Sequence, residues 1–318
     1  MSADVDDDDD CYQAIEAAQF FYKLHGRRFG SLNTAYMLPV DTDEFKRSSL
    51  FHRLIQFMFN GRVYIGPVKE TLQFGAYRKV LDLGTGRGFW AVDMCDLFSW
   101  VYVTGVDAAP IQFNEVPPRC RFEVWDINTP DMPYAADTFD LIHARCVHTG
   151  ILNYPRFLSE IGRLVRPGGL VILIEPDLRQ LADDQPEIEY TFGSGPRGWF
   201  TLWETYRSCL VSLGIDVTVP QRLGALLEQT GLFEEINEYT GTIPVGFYPE
   251  DPRILTVGQL QWMAYDLLLP GLKPMFLHLG LREARVDRII KDAQQDLYHT
   301  EYRLTSHLHV VYALRRPH

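Results

Sequence analysis

The segment Val80-Leu-Asp-Leu-Gly-Thr-Gly-Arg-Gly-Phe-Trp90 constrains this chain more than any other. An apolar run stops on three glycines at alternate positions, and a helix-compatible stretch follows. Gly84, Gly86 and Gly88 let the backbone turn tightly and let a ligand approach where any Cβ would collide. The dinucleotide fingerprint is spaced GxGxxG, whereas this turn is GxGxG with Asp82 just before it. That spacing points away from a pyrophosphate and toward a nucleoside carrying an amino-acid tail. A left-handed surface turn is the bland alternative, so the surroundings decide.

Those surroundings are α/β. Short apolar runs recur at Lys79–Leu83, Tyr102–Val106, Arg121–Val124, Phe139–Ile142 and Leu170–Ile174, separated by lengths that suit helices or crossovers. Runs apolar on both faces, alternating with helices, predict a parallel sheet covered on both sides. Asp107 ends the second run, where an ionised acid can accept both hydroxyls of a ribose. Asp126 follows the third, placed for an adenine amino group with Ile127 against the ring. Open parallel sheets bind ligands at the carboxyl ends of their strands, and all three sites lie there. Singly each acid reads as a cap or surface charge; their order shifts the balance.

Outside this region the patterns are coarser. Asp41–Phe59 carries apolar residues at helical spacing, as do Trp199–Leu213, Leu223–Gln229, Val257–Leu268 and Glu283–Asp296. Phe233–Thr240 and Leu308–Leu314 read as strands that pair antiparallel at the sheet's edge. The net charge is −12, and half of it lies in Asp4 and Asp6 to Asp10, which read as a solvated tail. Acidity argues against nucleic-acid binding, and 46% hydrophobic content supplies a packed core. No apolar stretch reaches the roughly 20 residues of a membrane span. A signal peptide is not evident, which predicts a cytoplasmic protein. Cys11, Cys95, Cys120, Cys146 and Cys209 show no CxxC pairing, so neither a disulfide framework nor a metal site is expected.

With these residues in view, the sequence resembles class I S-adenosylmethionine-dependent methyltransferases, and more narrowly the LaeA-like fungal secondary-metabolism family. The resemblance is carried by Leu81–Trp90, Gly105–Gln112, Val116–Glu123, Phe139–Arg145 and Arg166-Pro-Gly-Gly169. Gly26–Phe29, Tyr36–Asp41 through His52, and Pro244–Pro249 extend it to nearly everything after Cys11. It implies a Rossmann-like fold, a mostly parallel sheet with helices on both faces, an N-terminal helical lid and a C-terminal helical cap. The expected division is an acidic tail (1–10), lid (11–78), cofactor-binding core (79–240), cap (241–306) and final core strand (307–318).

The resemblance further implies S-adenosylmethionine as cofactor, leaving as S-adenosylhomocysteine. Asp82, Gly84, Thr85, Gly86 and Gly88 would form its cradle. Asp107 and Ala108 would face the ribose, Asp126 and Ile127 the adenine, and Arg145 and Cys146 the methionine end. Tyr36 and His52 would close over it from the lid. Arg87 replaces a small polar residue of the family and can point outward. Two further departures, Ile174–Asp177 and Gly214–Val217, fall on the substrate side.

A hydroxyl acceptor needs a base. His143, within its strand, reads as a packed core histidine. His148, in the loop beyond, is better placed to take a proton, though it reads equally as a plain loop histidine. Glu175 is the rival base, and an amine or thiolate acceptor needs neither. Trp199, Trp203 and Tyr206 on one helix, and Trp262, Met263 and Tyr265 on another, are either core or the walls of an apolar acceptor chamber.

The expected function is methyl transfer to oxygen or nitrogen of a small natural product, with a homodimer compatible with the sequence. Two alternatives stand beside it. One is a regulatory methyltransferase acting through protein partners, where a nuclear location also fits; the other is a methyltransferase fold repurposed for cyclisation.

Overall fold

The computed structural model describes residues 19–73, 75, 77–182, 195–299 and 301–317. The acidic run and Cys11 lie outside them. The described chain opens not with a helix but with an antiparallel hairpin, β1 (Phe21–Leu24) and β2 (Arg27–Gly30). His25 and Gly26 both take left-handed backbone angles, φ 47° and 81°, as a two-residue hairpin turn requires. The expected helical lid thus also carries strand: a hairpin precedes helix α1 (Thr42–Met58). Asp41 caps α1 by accepting from the Glu44 amide. Its carboxylate also takes two bonds from Arg27, at 2.5 and 2.8 Å. The hairpin and the helix are tied at that residue.

After the short helix α2 (Val68–Leu72) come β3 (Arg78–Leu83), α3 (Phe89–Leu97), β4 (Val101–Asp107), β5 (Cys120–Val124) and β6 (Phe139–Arg145). Helix α4 (Tyr154–Leu164) leads into β7 (Val165–Ala182). Then follow α5 (Arg197–Ser212), α6 (Leu223–Gln229), β8 (Phe233–Val245), α7 (Pro252–Gly271), α8 (Lys273–His278), α9 (Glu283–Tyr298) and β9 (Leu304–Arg315).

Seven strands form one sheet in the order β5-β4-β3-β6-β7-β9-β8. The first five run parallel, and β9 is antiparallel to both β7 and β8. Successive residues point to opposite faces. Val80, Leu141 and Ile172 pack with Leu54, Trp90 and Met94 on one side. Leu81, Ile142 and Val171 pack with Leu158, Ile161 and Leu226 on the other. The expected Rossmann-like architecture is therefore present. The chain moves outward from β3 to β5 and returns on β3's other flank with β6. A crevice opens at this switch, at the carboxyl ends.

β8 and β9 are longer than the sequence patterns indicated. Their ladder continues through Ile243↔Ser306 to Val245↔Leu304, so residues 241–245 and 304–306, expected in the cap, are strand. Alternation in that stretch is masked by Gly241 and Pro244, which an edge strand tolerates. Helix α5 and the helices of the cap share a third core, in which Trp199, Leu202, Leu269, Phe276 and Val286 meet Met37 and Leu38 from the lid loop. No helix among the described residues is long and apolar enough to cross a membrane.

Candidate functional site

At the switch between β3 and β6 a pocket is lined by Asp82, Gly84, Thr85, Gly86, Asp107, Ala108, Ile127, Arg145 and Cys146 from the sheet. Tyr36, Glu44, Phe45, Arg47 and Phe51 line it from the lid. The glycine turn is built for this. Gly88, at φ 87°, has Phe122 so close that a Cβ would lie 2.2 Å from the ring. Gly86, at φ 57°, has open space where its Cβ would be, and its amide donates to Asp107 Oδ2 at 2.8 Å.

Asp107 also accepts from the Ala109 amide at 3.0 Å. Burial pushes its carboxyl up to about 6, against the pull of these amide bonds. Asp82 is closed from solvent; it accepts from Thr85 Oγ1 at 2.6 Å and pairs with His143 Nδ1 at 2.7 Å. His143 lies flat on Trp90, with centroids 3.9 Å apart. Burial lowers its pKa, so it is the packed neutral histidine the sequence favoured, with one edge at the pocket wall.

Three expected cofactor residues, Gly88, Asp126 and His52, do not line the pocket. Asp126 spends Oδ1 on the Asn128 amide at 3.0 Å, while Ile127 faces inward. His52 reaches the pocket through another residue. Its Nδ1 accepts from Arg145 Nη2 at 3.1 Å, and its Nε2 meets Asp93 Oδ2 at 2.9 Å. Arginine can only donate, so the proton sits on Nε2; burial keeps the ring neutral. Cys146 holds a left-handed backbone, φ 59°, and burial pushes its thiol up to about 12. It is a thiol at neutral pH, with no thiolate reactivity.

The lid contributes a pair that the sequence reading missed. Arg47 Nε donates to Glu44 Oε2 at 2.7 Å, and Nη2 to Oε1 at 2.5 Å. In sequence, an i,i+3 Glu–Arg pair reads as an exposed helix face. Here it is enclosed with Tyr36, whose hydroxyl pKa burial raises well above its usual value.

The two expected bases are partners, and neither lines the pocket. His148 Nδ1 meets Glu175 Oε2 at 2.8 Å, with both side chains closed from solvent. Glu175 Oε1 accepts from the Val147 and His148 amides at 3.1 Å each. The carboxylate holds the turn that presents Cys146 and Val147.

The aromatic stripes are core. Trp199, Trp203 and Tyr265 meet edge to face, with centroids 5.1–5.7 Å apart, and all are buried. Tyr206 is buried beside Thr149, which it hydrogen-bonds. Trp262 donates to the Leu297 carbonyl at 3.0 Å and packs on Tyr298. Met263 faces an open groove outside the lid. Helix α5 lies between the sheet and the cap, so its aromatic stripe is spent on packing.

Asp177, His307 and His309 also converge, their ligand atoms within 4.8 Å of one another. Both Asp177 oxygens are already engaged, by the Arg179 amide and guanidinium, Gln221 and His309. These donors hold its pKa well below the usual carboxylate range and leave the trio an electrostatic network.

A family model described as a methyltransferase domain matches residues 47–232. The secondary metabolism regulator laeA of Coprinopsis cinerea is 29% identical over 296 residues, covering 92% of this chain and 73% of the relative. Methyltransferase pytC of Aspergillus terreus is 27% identical over 261 residues, covering 80% and 75%. The solved phosphoethanolamine N-methyltransferase 2 of Haemonchus contortus aligns over 99% of this chain and 75% of its own, with a TM-score of 0.48 and 15% identity.

Proposed function

The chain belongs to the methyltransferase-domain family, and on that premise we propose that it transfers a methyl group from S-adenosylmethionine to a nitrogen or oxygen of a small natural product. One observation carries the reading: a single pocket gathers Asp82, the open face of Gly86, Asp107, Ile127 and Arg145. Asp107 suits the ribose hydroxyls, Ile127 the adenine face, and Arg145 the methionine carboxylate. When bound, the cofactor supplies an electrophilic methyl on sulfur, and the protein supplies placement.

Two pairs of the pocket's ionisable side chains are committed to each other. His143 is bound to Asp82, and Glu44 to Arg47. Neither His148 nor Glu175 reaches the pocket. The reading that asks least of these residues is an acceptor already nucleophilic at neutral pH, such as a neutral amine or an acidic hydroxyl, with proximity carrying the rate. A regulatory role through protein partners is a second reading, favoured by the laeA relative, which spans most of the chain.

Incubation with methyl-labelled cofactor and extract of the source organism tests both. Label in a small molecule supports the first reading. Label confined to protein, or cofactor bound without turnover, overturns it in favour of the second.

A further inference from the structure

Arg87 departs from the family pattern at the centre of the glycine turn, and the structure puts its guanidinium between two rings. Its Cζ lies 4.6 Å from the centroid of Phe45 on α1, and 4.6 Å from that of Phe113, between β4 and β5. We propose that Arg87 fastens the lid helix over the pocket and thereby sets how fast cofactor and product are exchanged. The proposal rests on the reading of this pocket as an S-adenosylmethionine site.

The lid helix meets the turn through rings at two places. His52 stacks on Phe89 at 5.3 Å, and Phe89 meets Phe113 edge-on at 5.0 Å. Phe45 lies seven residues before His52, on the same helix face. The His52 end is also held by the bonds to Asp93 and Arg145. At the Phe45 end, the helix is joined to the turn through the arginine sandwich. Phe113 is itself anchored, because neighbouring Gln112 donates to the Gly86 carbonyl at 2.8 Å and the Ala109 carbonyl at 3.0 Å. Lid, glycine turn and ribose-side loop are thus joined through one side chain.

Phe45, Arg87 and Phe89 border two spaces at once. They line the cofactor pocket, and they also line the open groove outside it, which continues over Leu50, Arg53 and Met263. These three side chains are the partition between them, and parting Phe45 from Arg87 joins pocket to groove. A guanidinium has two flat faces and can stack on both rings, which an ammonium cannot. Each stack at a half-exposed position shifts an equilibrium about two- to fivefold, so the pair shifts opening by about tenfold.

The test follows release of S-adenosylhomocysteine by stopped-flow fluorescence, and amide hydrogen exchange along α1 without ligand. Arg87→Ala is expected to speed release about tenfold and to accelerate exchange in residues 43–48, leaving 53–58 unchanged. Phe113→Leu should reproduce part of the effect and add less in the Arg87→Ala background than in the wild type, the remainder being its own edge contact with Phe89. Arg87→Lys should recover less than half of it. Arg53→Ala, which removes a cation from the same groove but not from between the rings, should change neither measurement. Release and exchange at wild-type values in Arg87→Ala and Phe113→Leu would overturn the proposal. If the wild-type protein binds no S-adenosylhomocysteine by calorimetry, the cofactor reading falls with it, while the exchange comparison still decides whether Arg87 fastens the helix.

Discussion

Arg145 donates to His52 across 3.1 Å, and that bond joins the carboxyl end of β6 to the middle of the lid helix. The imidazole also spans to Asp93 on α3, so the guanidinium that faces the pocket is aimed by a residue that does not.

Replacing His52 should therefore damage binding at a distance. His52→Leu is expected to weaken cofactor affinity about tenfold, the cost of losing a hydrogen bond to a charged group. Calorimetry gives the affinity, and thermal melting gives the accompanying stability loss. Unchanged affinity would show that Arg145 needs no support.

Asp107 makes binding depend on pH. Burial raises its folded carboxyl to about 6, well above the unfolded value of about 4. Between those values the folded apo protein holds a proton that the unfolded chain lacks. This stabilising contribution is present at lower pH and is lost as pH rises through about 6. Ribose hydroxyls favour the ionised form, so binding near pH 6 should release a proton and affinity should fall below that pH. Calorimetry in two buffers of different ionisation enthalpy reads the release, which Asp107→Asn should abolish while weakening binding severely.

His148→Ala separates a base from a scaffold. A base would lose turnover with the melting temperature intact. The buried pair with Glu175 instead predicts that both fall together, by about 3–5 kcal/mol in stability if a charge is left unpaired. Glu175→Gln should lose less, because it keeps an acceptor for the Val147 and His148 amides.

The glycines divide the same way. Gly88→Ala places a Cβ against the Phe122 ring and should destabilise by several kcal/mol, about 1–3 from overpacking plus the left-handed strain. Gly86→Ala has room, so its stability cost should stay near 1–2 kcal/mol. Its methyl group, however, would take up open space at the pocket wall that Gly86 lines. Near-normal melting with lost binding is the expected pair of results.

The sheet and its ligand-facing ends were legible because strand burial on two faces leaves continuous apolar runs, and a glycine turn has few other uses. Asp82, Gly86, Asp107 and Ile127 follow from that logic. Glu44 and Arg47 did not, since nothing in an i,i+3 pair distinguishes a solvated helix face from one folded over a cavity. The same limit misplaced His148: being six residues beyond Ile142 fixes its distance along the chain, while the partner that turns it inward, Glu175, comes from the next strand. Trp199, Trp203 and Tyr265 had the right spacing for a chamber wall and were claimed by packing instead, because α5 has a neighbour on each side.

The ladder that ends at Val245 and Leu304 places the two ends of the cap side by side on adjacent strands. The described residues between Gly246 and Arg303 leave the sheet and return to it through this doorway. The segment can change length without altering the register of either strand, while its inner face stays packed on the lid, α7 against α1 and Phe276 in one core with Met37 and Leu38. In evolutionary terms it is a cassette: a lineage could exchange the outer surface of the cap while keeping the sheet that holds the donor.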